Sequence, residues 1–212
     1  MKRILLVFAL ALTLNPVYSQ IKLGVKAGGI LSNVAGQGIG LSSSGFISDP
    51  KLSFVIGGAI SIPLHPKIGL QAELLYSKQG SQSTFLLDSV REEKHITNYH
   101  YLSLPLTVHY RITERLRAGI GPEFGYLLGA YQRTEAFDPS EVSDTFYHPI
   151  DLSINLDAQY QVLDKLSLGL RYHLGLYDIT KRYETTLQST PLVVDSNVYN
   201  RSVQLSLTYW FR

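Results

Sequence analysis

Eight charged residues lie at alternate positions of otherwise uncharged stretches, always on the polar side of an alternating pattern. Four are cationic and four anionic: Lys22, Lys26, Arg117 and Arg171, and Glu73, Glu123, Asp151 and Asp157. Buried charge is costly unless it is paired and hydrogen-bonded, and equal numbers of both signs allow such pairing. We therefore predict an internal salt-bridge network, and we expect His109 and His173, on the same face, to be held by it.

Other arrangements of polar residues fit known binding motifs poorly. Asp151, Asn155 and Asp157 have the spacing of a calcium loop, but Leu156 stands where that loop needs glycine. The Gly-Ile-Gly at 119–121 precedes no helical pattern, so it does not indicate a dinucleotide site. The chain has no cysteine and its histidines are scattered. We predict no cofactor and no metal site.

The residues that carry these charges belong to segments with strict period-two alternation. In the last segment Val203, Leu205 and Leu207 fall on one face, and polar side chains such as Ser206 fall on the other. Eight segments show the pattern: residues 21–28, 52–62, 68–76, 99–110, 116–130, 150–160, 166–176 and 201–211. No segment with helical periodicity is present to cover the apolar faces. Those faces must therefore meet lipid, with the first and last strands paired so that no edge stays open.

The lengths of the strands and of the connections between them favour one topology. About ten residues are enough for a β-strand to cross a bilayer. The connections are alternately long and short, and the long ones are residues 31–50, 78–97, 132–148 and 179–197. Outer-membrane barrels have an even number of strands, short periplasmic turns and long outer loops. The predicted fold is all-β, an eight-stranded antiparallel transmembrane up-and-down β-barrel, whose narrow interior side chains fill.

Two prolines interrupt this otherwise regular pattern. Pro105 lies in the fourth predicted strand and Pro122 in the fifth, and proline cannot donate a hydrogen bond to a ladder. A hairpin turning near Thr113 brings them almost opposite each other. We predict a bulge or a local break in pairing at this place.

The first nineteen residues have the features of a secretory signal peptide. Lys2 and Arg3 precede an apolar run at 4–14, and Val17 and Ser19 stand at the positions that signal peptidase requires. We predict cleavage before Gln20 and a barrel domain over residues 20–212. Two of the nineteen Lys and Arg residues fall in the leader, so the remaining seventeen balance the seventeen Asp and Glu residues. A neutral mature chain does not indicate nucleic-acid binding.

Three stretches of the mature chain carry a family resemblance. They read IKLGVKAGGILSNVAG, YLSLPLTVHYRI and LRAGIGPEFGYLLGA, and the likeness is strongest at residues 101–106 and 119–122. The chain resembles the PorT-like outer-membrane β-barrel proteins of Bacteroidetes. This resemblance implies an outer-membrane barrel domain. It also leaves open a role as an accessory component of a secretion system, because the founding member is linked to type IX secretion.

From these patterns we expect a monomeric, non-enzymatic outer-membrane barrel with a structural or surface-interaction role. Its lumen is plugged by the charge network, and its long loops offer a surface to a protein or glycan partner. Membrane lipid or lipopolysaccharide surrounds it, and the barrel assembly machinery is its partner during biogenesis. The alternatives are a narrow porin-like channel, a soluble lipocalin-type barrel, and a lipid-modifying enzyme. An enzyme would draw on His100, Ser103, Glu123 and His148.

Overall fold

A computed structural model of the chain describes residues 21–37, 45–47, 49–88, 91–134, 137–142, 147–181, 183–187, 190–194 and 197–211. The predicted signal peptide lies outside the described residues. The strands are β1 (Lys22–Gln37), β2 (Gly45–Ile47), β3 (Asp49–His65), β4 (Ile68–Asp88), β5 (Arg91–Arg111), β6 (Leu116–Thr134), β7 (Phe137–Glu141), β8 (Ile150–Leu163), β9 (Leu166–Gly175), β10 (Tyr183–Leu187), β11 (Thr190–Val194) and β12 (Asn197–Trp210). Within the described ranges, no helix is long and apolar enough to cross a membrane.

Eight long strands form one closed antiparallel sheet. Their order around the wall is β12, β9, β8, β6, β5, β4, β3 and β1, and β12 pairs back onto β1. The closing ladder runs from the pair Gly24 and Trp210 to the pair Gln37 and Asn197. The predicted eight-stranded antiparallel barrel is therefore confirmed, and its closure leaves neither terminal strand with a free edge.

The wall is apolar outside and polar inside. On β9 the side chains of Leu168, Leu170 and Tyr172 are exposed, whereas those of Ser167 and Arg171 are buried. Leu170 is 53% exposed and Arg171 only 2%. Because successive residues of a strand point to opposite sides, the same division continues along the neighbouring strands. The lipocalin-type alternative is wrong, since it requires the opposite distribution.

The strands are longer than the apolar alternation alone predicts. The sequence pattern predicts a loop at residues 78–97, but β4 and β5 pair from Ile68 and Tyr110 through to Asp88 and Arg91. The other three predicted loops also contain strand: β1, β2 and β3 extend into the first, β6 and β7 into the third, and the separate hairpin β10–β11 lies in the fourth. Polar residues extend the ladder beyond the apolar wall, where alternation in hydrophobicity no longer marks a strand. We call this side of the barrel the hairpin end.

The opposite side of the barrel, which we call the short-turn end, carries three tight connections. They are Pro66–Lys67 between β3 and β4, residues 112–115 between β5 and β6, and Asp164–Lys165 between β8 and β9. In the second of these turns, the Thr113 Oγ1 atom accepts hydrogen bonds from the backbone N–H groups of Arg115 and Leu116. A side-chain oxygen that bonds the backbone in this way stabilises a tight turn.

The prolines produce the predicted local break in pairing. The β5–β6 ladder pairs Pro105 with Glu123 and resumes at Val108 and Ile120, leaving Leu106 and Thr107 without an assigned partner on β6. The register is the same on both sides of this gap, so the interruption is not a bulge. The bulge of this hairpin lies instead where His100 pairs with Gly129 and Tyr101 with Leu127.

Replacing Leu170 by Arg tests whether the apolar wall faces lipid. The position lies midway along β9, where it pairs with Ala158 and Leu205, so the guanidinium would enter the centre of the bilayer. We expect a loss of about 2–4 kcal/mol in unfolding free energy, measured by denaturant titration in phospholipid vesicles.

The matched control is Leu163→Arg. Leu163 is equally apolar and exposed but lies beside the β8–β9 turn at the short-turn end. Its substitution should cost about 0–1 kcal/mol, because charge is tolerated near the membrane surface. Equal costs at the two positions would contradict a lipid-facing wall.

Candidate functional site

An ion pair that crosses the lumen is the centre of the barrel interior. Arg171 on β9 donates from Nη1 to Glu73 Oε2 over 2.9 Å and from Nη2 to Glu73 Oε1 over 3.0 Å. Strand β4, which carries Glu73, is diametrically opposite β9 in the strand order. This bidentate geometry is the strongest form of an arginine–carboxylate contact. The two side chains therefore join opposite walls of the barrel.

Glu73 has a second cation and an amide donor. Lys26 Nζ, from β1, lies 2.5 Å from Glu73 Oε1, and the amide of Gln71 donates to the same oxygen. Both Lys26 and Glu73 are almost fully buried. Two cations and an amide around one carboxylate satisfy it from three strands of the wall.

Asp157 on β8 is the second carboxylate that Arg171 contacts. Arg171 Nε donates to Asp157 Oδ2 over 3.0 Å, and Gln159 Nε2 donates to Oδ1 over 2.8 Å. His109 Nε2 lies 2.7 Å from Oδ1. Gly119 on β6 lies between these two residues in the sheet, because it pairs with His109 on β5 and with Asp157 on β8. His109 therefore reaches Asp157 across this glycine. A Cβ at position 119 would lie only 2.6 Å from His109 Cδ2, so glycine is needed for this close approach.

Nearer the hairpin end, two further carboxylates flank His173. Its Nδ1 atom lies 3.6 Å from Glu123 Oε2, and its Nε2 atom lies 3.9 Å from Asp151 Oδ2. Asn155 Nδ2 donates to Glu123 over 2.6 Å, and Asn200 Nδ2 donates to Asp151 over 2.7 Å. Each of these two carboxylates therefore accepts a hydrogen bond from a neutral amide.

On the hairpin-end side of Glu123 and Asp151, an apolar cluster fills the lumen. It consists of Tyr99, Tyr101, Leu127, Ala130 and Ile179. The Oη atom of Tyr101 accepts a hydrogen bond from Asn200 Nδ2 over 3.3 Å, which connects the cluster to the polar network beneath it. Below the cluster, the central cavity measures about 10 Å³, and its lining includes Val55, Leu75 and Arg171. That volume holds about one water molecule, so side chains occupy the middle of the barrel.

The structure places the eight predicted network residues in three different settings. Six of them are buried in the interior contacts described above: Lys26, Glu73, Glu123, Asp151, Asp157 and Arg171. Arg117 is half-buried and donates to the Gln159 side chain, which connects it indirectly to Asp157. Lys22 is exposed at the short-turn end. The prediction of a buried role was wrong for Lys22, because its strand begins at the mouth of the barrel.

Sequence reasoning placed His109 and His173 in the lumen but missed four amide partners. These are Gln71, Asn155, Gln159 and Asn200, all buried and all bonded to a network carboxylate. Alternation does put each of them on the inward face. It does not show which carboxylate an amide will contact, whether on its own strand, as for Gln71 and Gln159, or on another strand, as for Asn155 and Asn200.

The structure divides the proposed enzymatic residues between the two sides of the wall. His100 lies on the outer face, where its Nδ1 atom is 2.6 Å from Tyr76 Oη, whereas Ser103 and Glu123 are buried on the inner face. The His148 ring packs against Tyr177 at a centroid distance of 5.7 Å. In the described part of the chain, no group of His, Cys, Asp and Glu residues has the geometry of a metal site.

Replacing Arg171 by Met tests the energetic weight of the central contact. The change keeps an unbranched apolar stem but removes the guanidinium, which leaves Glu73 with Lys26 as its only described cation and Asp157 without its arginine partner. Breaking a buried ion pair from one side typically costs about 3–5 kcal/mol. We expect a loss of that size in the unfolding free energy, measured by denaturant titration.

Arg201→Met is the matched control, since Arg201 is an exposed arginine on the outer face of β12. Its replacement should change the unfolding free energy by no more than about 0.5 kcal/mol. A loss at Arg171 as small as the loss at Arg201 would show that the central network does not support the fold.

Solved structures with this fold share little sequence with the chain. Neisserial surface protein A (NspA) is 12% identical with a TM-score of 0.53, and the match covers 88% of this chain and 96% of NspA. The outer membrane protein OprG from Pseudomonas aeruginosa is 14% identical with a TM-score of 0.50, covering 90% and 96% of the two chains. At this identity the likeness shows the fold alone. No curated protein sequence matches the chain.

A family model matches most of the chain. The outer membrane protein beta-barrel domain covers residues 14–181, which include seven of the eight wall strands. The closed antiparallel sheet, the apolar outer face and the paired charges inside agree with this match. The chain thus belongs to the outer membrane protein beta-barrel domain family and is an outer-membrane β-barrel protein.

Proposed function

We propose that this protein is a non-enzymatic barrel with a closed lumen, which acts structurally or as a surface-interaction module through its hairpin end. The observation that carries the proposal is the Arg171–Glu73 contact between opposite walls. A pore for small solutes needs an open path along the axis. Here that path meets a bidentate ion pair and, above it, the apolar cluster around Tyr101 and Ile179.

The hairpin end supports the surface-interaction part of the proposal. Strands β4 and β5 continue their ladder well beyond the apolar wall, up to Asp88 and Arg91. A strand rises about 3.3 Å per residue, so ten further residues project roughly 30 Å. In barrels of this class the longer connections lie outside the cell. We infer that this extension meets a protein or glycan partner, with lipopolysaccharide surrounding the wall beneath it.

We further propose that the chain is exported by its leader, inserted by the barrel assembly machinery and monomeric, and that it is of the PorT-like type found in Bacteroidetes. The apolar run at 4–14 and Ser19 support export, and the stretches at 101–106 and 119–122 support the PorT-like assignment. An accessory role in secretion rests on that resemblance alone.

A mature chain that begins at Gln20 is the expected product of export. Mass spectrometry of protein recovered from outer-membrane fractions should show this N-terminus, and gel mobility should change on heating, as it does for folded barrels. An intact Met1 in the membrane fraction would contradict the predicted cleavage.

Single-channel recording in planar bilayers tests the closed lumen. We expect no discrete current steps from the folded wild-type protein, because charged and apolar side chains fill the cross-section. The double variant Arg171→Ala and Glu73→Ala removes both sides of the central contact, and it also takes the Glu73 carboxylate from Lys26 and the Arg171 guanidinium from Asp157. It should show steps if the remaining side chains leave a water-filled path.

The matched comparison is Arg201→Ala, which changes an arginine on the outer face and should stay silent. Regular single-channel steps from the wild-type protein would instead establish the narrow porin-like channel. Arg201→Ala should then show the same steps at the same protein-to-lipid ratio.

A further inference from the structure

The short-turn end contains a wide cavity. It opens at the mouth, has a volume of about 600 Å³ and is lined by residues of β1, β3, β5, β6, β8, β9 and β12. Ligand pockets typically measure about 300–1,000 Å³. The cavity is therefore large enough for a small organic molecule, in contrast to the filled centre of the lumen.

Four cations line this cavity: Lys22, Arg111, Arg115 and Arg117. Arg111 and Arg117 are direct cross-strand partners on β5 and β6, and both occupy inward positions of their strands. Like charges placed directly opposite each other destabilise a sheet unless something neutralises them. Arg111 and Arg117 therefore form a pair of neighbouring guanidinium groups that a bound anion would stabilise.

The cations of the mouth lack the acidic partners that the interior cations have. Within the described ranges, no ion pair joins Lys22, Arg111, Arg115 or Arg117 to a carboxylate. Glu114 is the one acidic residue among those that line the cavity. Asp157, farther inside, is already bonded by Arg171 and His109. The mouth therefore keeps an excess of positive charge.

Trp210 supplies a fixed aromatic surface in the same cavity. Its ring is buried, its Nε1 atom donates to Ser167 Oγ over 3.1 Å, and the Arg117 guanidinium carbon lies 5.6 Å from the ring centroid. Gly24 allows this placement, because a Cβ at that position would lie 2.8 Å from Trp210 Cε3. Stacking on the indole orients Arg117 before any ligand arrives.

We propose that this mouth, facing away from the hairpin end, binds a phosphate-bearing molecule between Arg111 and Arg117. A phosphate monoester carries close to two negative charges and three strong acceptor oxygens, which suits several cations around one cavity better than a single carboxylate does. The phosphate can belong to a free metabolite or to a phospholipid headgroup at the membrane surface. The site is separate from the proposed surface role and does not depend on the lumen being closed.

The tryptophan is itself the probe, because it is the only one in the sequence. Purified barrel in an uncharged detergent is titrated with glycerol 3-phosphate and, separately, with dihexanoylphosphatidic acid at constant ionic strength. Trp210 emission is recorded, with calorimetric titration as a second readout. A saturable response to the first compound supports a free phosphate ester, and a response to the second alone supports a headgroup.

The variants assign the response to the mouth. Arg111→Gln should weaken binding about tenfold, the loss typical of one hydrogen bond between charged groups, and Arg117→Gln should do the same. Lys67→Gln is the matched control, since Lys67 is an exposed cation of the same end that does not line the cavity. It should leave the affinity unchanged.

Three outcomes would overturn the proposal. The first is the absence of saturable binding by both readouts when heat-modifiable mobility shows folded protein. The second is an equal loss of affinity in Lys67→Gln and Arg111→Gln. The third is binding of succinate or of a pentaglutamate peptide at least as tight as that of either phosphate compound, which would assign the mouth to carboxylates or to an acidic protein segment.

Discussion

Arg171 holds the barrel interior together because its guanidinium donates hydrogen bonds to two carboxylates on different strands. Its Nε atom contacts Asp157 on the neighbouring β8, and its terminal nitrogens contact Glu73 on the far wall. The middle of an eight-stranded barrel is just wide enough for side chains to fill, so an inward charge there has to find its partner among other side chains. Lys26 and His109 complete the contacts of these two carboxylates, since Lys26 pairs with Glu73 and His109 pairs with Asp157.

The glycines of the inner face follow from the same constraint. Side chains that cross a narrow lumen need space over the strand between them. Gly119 lets His109 reach Asp157, and Gly24 gives space to the Trp210 ring. Polar partners therefore do not have to be neighbours in the sheet. The cost is a loss of strand propensity at these positions, which the closed hydrogen-bonded wall tolerates.

Much of this architecture could be predicted from sequence, because the pleat fixes which side chains face the same way. Period-two alternation identified the eight wall strands and placed Glu73 and Arg171 on the inward face. It could not pair them, since they are 98 residues apart and lie on opposite walls. The ladder up to Asp88 was missed for a different reason. From Ser77 to Thr84 both faces of β4 carry polar or small residues, so the hydrophobic contrast disappears while the backbone pairing continues.

The two ends of the barrel differ in charge, and the filled middle of the lumen lies between them. Between them, Asp157 and Glu73 are paired with Arg171, Lys26 and His109, and the same two carboxylates also attract the half-buried Arg117. Lys22 and Arg111 are exposed and Arg117 is half-buried, which lets water solvate charges that no carboxylate pairs. The filled interior thus separates a basic mouth from the hairpin end.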